Sequence, residues 1–169
     1  MATKRKGGGS RLNRSETVTI RVDPKLRHLI ELGARKLRRT VSSYAEWALE
    51  ESLKAVDLER TDRHGDAVTL YSLDLWDVDE ADRFAKVAFT LPELLIHEEQ
   101  VMWKLVRRNG YFWKLKGSPE DGWTWDEYKG ALRFDALREQ WENLQAIARG
   151  ERDEGSLPTI EKNPDHMSF

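Results

Sequence analysis

From Thr17 to Val22 polar and apolar residues alternate strictly, with Val18, Ile20 and Val22 on one side and Thr17, Thr19 and Arg21 on the other. A period of two is the pattern of a half-buried β-strand. No second strand follows at hairpin distance. Asp23 is instead a capping residue, and Pro24 suits a first helical position, where its missing N–H costs nothing. A lone short strand followed by helices can neither bury its apolar side nor satisfy its edges. It needs a partner, and the economical one is a second copy of the same chain. Two strands then form an antiparallel ribbon over four helices about a two-fold axis.

Leu26, Leu29, Ile30, Gly33 and Leu37 recur at helical spacing, and Arg35, Lys36, Arg38 and Arg39 cluster where cations suit a helix C-terminus. The first helix is therefore expected to end near Arg39. Ser42 and Ser43 offer a second N-cap, Glu46 completes a capping box with Ser43, and Ala45, Ala48, Leu49, Leu53 and Val56 mark one face of the next helix. Tyr44 and Trp47 widen that face, which predicts a helix buried on two sides.

Charge is divided along the chain. The formal net charge of -2 conceals 12 Lys/Arg against 3 Asp/Glu in residues 1 to 40, and 16 against 27 in the remainder. Residues 1 to 15 place Lys4, Arg5, Lys6, Arg11 and Arg14 around a Gly-Gly-Gly-Ser stretch with almost nothing apolar, the composition of a flexible cationic arm. Charge runs are commonly solvated faces, so the basic bias counts only when tied to structure.

Thr17-Val18-Thr19-Ile20-Arg21-Val22-Asp23-Pro24, the helix through Leu37, and Val41-Ser42-Ser43-Tyr44-Ala45-Glu46-Trp47-Ala48-Leu49 together resemble the ribbon-helix-helix family, the fold of the Met and Arc repressors. The likeness covers Glu16 to Asp57, a quarter of the chain. It implies a homodimer whose two-stranded ribbon enters the major groove of double-stranded DNA, with Thr17, Thr19 and Arg21 at the base-reading positions. Arginine can bond guanine O6 and N7 together, while threonine offers a hydroxyl to several bases and a methyl group to thymine. The resemblance also implies a phosphate anchored at Ser42 and Ser43, where free amides and the helix dipole favour an anion. Serines there can equally serve only as caps, and the two roles coexist. Lys4, Arg5, Lys6, Arg11 and Arg14 are then expected to track phosphates or enter a neighbouring minor groove.

Beyond Asp57 the likeness ends. Residues 58–78 read as a linker or connecting segment, in which Val68, Leu70, Leu73 and Leu75 suit either an extended stretch or a short helix. Residues 79–150 read as a separate, acidic, helical domain: one helix through Ala81, Phe84, Ala85 and Ala88, another from Leu91 to Leu105, an aromatic loop from Tyr111 to Trp125, and a last helix within Asp126 to Arg149 that Gly150 terminates. Residues 151–169 read as a trailing tail. The fold class expected is mainly α. Of the tryptophans in the aromatic loop, Trp113, Trp123 and Trp125 suit either a hydrophobic core or a partner site.

Nothing points to chemistry. His28, His64, His97 and His166 are scattered, His97-Glu98-Glu99 lacks the second histidine of a zinc-protease helix, and no phosphate-cradling glycine loop or nucleophile elbow occurs. Neither an enzyme, a cofactor nor a metal is expected. The absence of cysteine suits a reducing cytoplasm, and no apolar run approaches the ~20 residues that a membrane span needs. The expected function is repression of transcription at operator DNA by a homodimer, with the C-terminal domain joining dimers into a higher oligomer or receiving another protein. Two alternatives stay open: an antitoxin that masks a toxin through its C-terminal part, and a plasmid-partition or DNA-transfer accessory protein.

Overall fold

The computed structural model describes residues 17–118, 120 and 122–162. The chain is mainly helical and divides into two compact units between Ser72 and Leu73.

In the first unit, α1 spans Pro24–Lys36 and α2 spans Val41–Lys54. Asp23 caps α1 as its side chain accepts from the Leu26 amide at 3.0 Å, and Pro24 occupies the first turn. The helix stops earlier than its periodicity predicts. Arg38 sits in the left-handed region at φ 54°, so the Arg39 amide turns back to the Ala34 carbonyl at 2.9 Å and closes the helix end. Thr40, rather than Ser42 or Ser43, caps α2: its Oγ1 accepts from the Ser43 amide at 3.1 Å. The predicted Ser43–Glu46 capping box is therefore displaced, because the helix begins three residues sooner. Nor is α2 buried on two sides; none of its residues is buried in this chain.

The stretch expected to be a linker folds. β1 (Asp57–Thr61) pairs antiparallel with β2 (Ala67–Thr69), and a register irregularity lies between Asp57 and Thr61. The turn is organised by Asp62, whose Oδ1 accepts from the His64 amide at 2.8 Å and the Asp66 amide at 3.0 Å, while Gly65 supplies φ 85°. Leu70–Ser72 then forms one 3₁₀ turn. The two conformations open to Val68 and Leu70 both occur, one after the other.

In the second unit, α3 (Glu80–Thr90) packs on α5 (Phe134–Glu139), and α4 (His97–Arg108) packs on α6 (Trp141–Ala148). Phe84, Leu95, Met102, Leu105, Val106, Phe112, Trp113, Leu137 and Leu144 make a contiguous core. Asp79 caps α3, accepting from the Ala81 amide at 2.9 Å. The Glu99 carboxylate returns to the Ile96 amide at 3.0 Å ahead of α4.

Four expectations for this unit are corrected. The helix expected from Leu91 begins only at His97, after a separate 3₁₀ turn at Pro92–Leu94. The aromatic loop contains a hairpin, β3 (Lys116–Ser118) with β4 (Gly122–Thr124). Gly117 is at φ 104°, and a Cβ there would lie 2.3 Å from the Gly122 carbonyl oxygen. The single helix within Asp126–Arg149 is two, broken at Gln140, and its expected first turns are absent. There the Lys114 amide bonds the Ala131 carbonyl and the Arg133 amide bonds the Phe112 carbonyl, both at 2.8 Å, which ties 131–133 to the aromatic segment. The described part of the tail, residues 151–162, folds back: Leu157 is buried, and the Gly110 amide bonds the Ile160 carbonyl at 2.8 Å. Gly150, at φ 74°, does end α6.

Candidate nucleic-acid interface

Thr17–Val22, expected as a β-strand, takes no regular secondary structure within the single chain and leads directly into the Asp23 cap of α1. It forms no strand pairing with any described residue of its own chain, and all six of its residues are exposed. Ile20 and Val22 nevertheless share a groove of about 340 Å³ with Ile30 of α1 and with Val41 and Ala45 of α2. The apolar side of the alternation thus borders the helices. Thr17, Thr19 and Arg21 are exposed, and the Arg21 guanidinium has no hydrogen-bond or ion-pair partner among the described residues.

Burial in this unit is sparse. Of its described hydrophobic residues only Ala34 is buried, at 2 % exposure, whereas Val18 is 78 %, Ile20 62 %, Leu29 52 % and Leu49 55 % exposed. Leu26, Leu32, Leu37, Val41 and Leu53 are exposed as well. Among the described residues, the two helices and the hairpin of this unit therefore enclose almost no apolar core of their own.

The turn between the helices is cationic. Arg35 and Lys36 end α1, Arg38 follows, and Arg39 lies over the Trp47 ring at 5.5 Å. Trp47 in turn meets Tyr44 at 5.6 Å between ring centroids. Ser42 and Ser43 stand exposed in the first turn of α2, beside these cations in sequence. The cap from Thr40 occupies the Ser43 amide and leaves the Val41 and Ser42 amides without an acceptor among the described residues. The arrangement can hold an anion through backbone donors and nearby positive charge. Thr40 was legible as a capping residue in the sequence. It is obscured by the basic run before it, which extends the apparent helix to Arg39.

Lys4, Arg5, Lys6, Arg11 and Arg14 lie outside the described residues. Trp113 and Trp125 are in the core of the second unit, their indole N–H groups donating to the carbonyls of Val106 at 2.8 Å and Arg107 at 3.1 Å. Neither offers a surface to a partner. Trp123 is half-buried on β4, so the three do not form one exposed patch. No cluster of metal-ligating side chains occurs among the described residues, and no described helix is long and apolar enough to cross a membrane.

Comparison of the chain with protein-family models, with curated proteins and with solved structures finds no match.

Proposed function

We propose that this chain binds double-stranded DNA sequence-specifically as a homodimer and represses transcription at the DNA it occupies. Two copies of Thr17–Val22 pair as an antiparallel ribbon that enters the major groove, with Thr17, Thr19 and Arg21 toward base edges. The observation that carries this reading is the mismatch in the first unit between its regular, well-capped helices and its near-absence of buried apolar side chains. A second copy supplies the missing cover for Val18, Ile20, Leu29 and Leu49 and the missing partner for a single strand. The unpartnered Arg21 guanidinium, the cationic turn at Arg35 to Arg39 and the free amides at the start of α2 support a polyanion as the ligand.

The test has two parts. Sedimentation at micromolar protein is expected to show a dimer, and Ile20→Lys, which places a charge within the covered side, is expected to yield monomer. Selection of bound fragments from random duplex DNA is expected to return symmetric or tandem half-sites. A monomeric wild type, or a selected pool without a common sequence, overturns the reading.

A further inference from the structure

The second unit carries a groove of about 400 Å³ along α4, floored by Pro92, Leu95 and Trp103 and rimmed by Gln100, Lys104 and Arg107. We propose that it binds a compact aromatic carboxylate, which makes the second unit a small-molecule receptor.

The floor is prepared for a flat apolar ring. Leu95 is buried, and the half-buried Trp103 indole is held by Phe89 at 4.9 Å, Phe84 at 6.1 Å and Trp113 at 6.2 Å between ring centroids. A ring fixed from behind loses little freedom when a second ring stacks on its open side. Trp113, Trp125 and Trp141 each donate their indole N–H to an oxygen, whereas that of Trp103 has no acceptor among the described residues.

The rim selects an anion. Residues 73–169 hold 20 Asp/Glu against 13 Lys/Arg, yet the groove is bordered by Lys104, Arg107 and Arg108 with Glu127 as its one acid. The three cations stand at i, i+3 and i+4 on one face of α4. Arg107 is ion-paired with Glu127 and Arg108 with Glu154, but Lys104 has no carboxylate partner among the described residues. An incoming carboxylate therefore meets a free ammonium beside an apolar floor, and the volume falls within the ~300–1,000 Å³ of small-molecule sites.

The probe is naphthalene-2-carboxylate, titrated into the full chain while the indole N–H resonances are followed by NMR and assigned with Trp103→Phe. Saturable movement of the Trp103 resonance is expected, with weaker binding of the neutral isostere 2-naphthylmethanol. Lys104→Gln, an exposed substitution, is expected to weaken the carboxylate about fivefold and leave the alcohol unchanged. Glu127→Gln releases the Arg107 guanidinium and is expected to tighten the carboxylate. Equal binding of the two probes, indifference to Lys104→Gln, movement of the Trp47 resonance alone, or no saturable movement overturns the proposal.

Discussion

The Arg138 guanidinium grips the Asp82 carboxylate with two N–H groups, Nε to Oδ1 at 2.9 Å and Nη2 to Oδ2, and so joins α5 to α3. Asp82 is one of two buried polar residues among those described, while the Arg138 side chain is 49 % exposed. The burden of the pair falls on the carboxylate, which has lost its water and is left with the guanidinium.

Arg138→Met is accordingly expected to destabilise the second unit by about 1–3 kcal/mol, because it strands a buried carboxylate. Adding Asp82→Leu to that variant is expected to recover most of the loss, since both polar partners are then gone. Denaturant unfolding of the two single variants and the double variant measures the coupling. Additive losses contradict it.

Asn109 is the other buried polar residue, and it holds the returning C-terminal segment. Its Nδ2 donates to the Pro158 carbonyl at 2.8 Å, and its Oδ1 accepts from the amides of Tyr111 and Ile160, both at 3.0 Å. Asn109→Ala is expected to cost about 2–4 kcal/mol by leaving these groups unmatched. Amide hydrogen exchange is expected to accelerate first at Ile160. A variant as stable as the parent contradicts the strut.

Two tyrosine hydroxyls donate to carboxylates, Tyr71 to Glu50 at 2.8 Å and Tyr111 to Glu139 at 2.9 Å. The bond to the carboxylate holds each phenol neutral and raises its pKa above the ordinary 10.0. A folded-state value above the unfolded one means that the associated stability is fully present below pH 10 or so and is lost as pH rises through the higher folded value. In an ultraviolet titration, Glu50→Gln is expected to move the Tyr71 transition to lower pH and leave that of Tyr111 in place. An unchanged curve contradicts the bond.

Arg21→Ala is expected to cost about 1–3 kcal/mol on the selected DNA while sparing binding to unrelated duplex, which relaxes specificity without abolishing association. Deleting residues 1–14 is expected to weaken every duplex similarly and to flatten the salt dependence by roughly 0.9 in slope for each phosphate no longer neutralised. Equal losses on all sequences from Arg21→Ala remove it from the reading surface.

Much of the local structure was legible in the residues themselves. Asp23-Pro24 starts α1, Gly150 stops α6, and the apolar periodicity through Phe84 and through Leu105 marks α3 and α4. These features rest on short-range sterics, capping and the period of one face, all written within a few adjacent positions. The hairpin at 57–69 was not legible, because its turn is built from the Asp62 carboxylate in a run that composition alone assigns to a linker. The break of the last helix escaped for another reason: the backbone groups of 131–133 are bonded to residues some twenty positions earlier.

The sequence by itself determined where α1 begins and where α6 ends, the opposed charge of its two parts, and the two-residue period of Thr17–Val22. Only the tertiary structure decided which apolar residues find cover. Trp113, Trp125 and Leu157 are enclosed, the first two in keeping with the core reading that their aromatic character favours over a partner surface, the third although it read as tail. Val18, Leu29 and Leu49, which read as core, remain open. Burial is a property of what long-range packing brings together, and a periodic pattern states only that one side of an element is apolar, not what will lie against it.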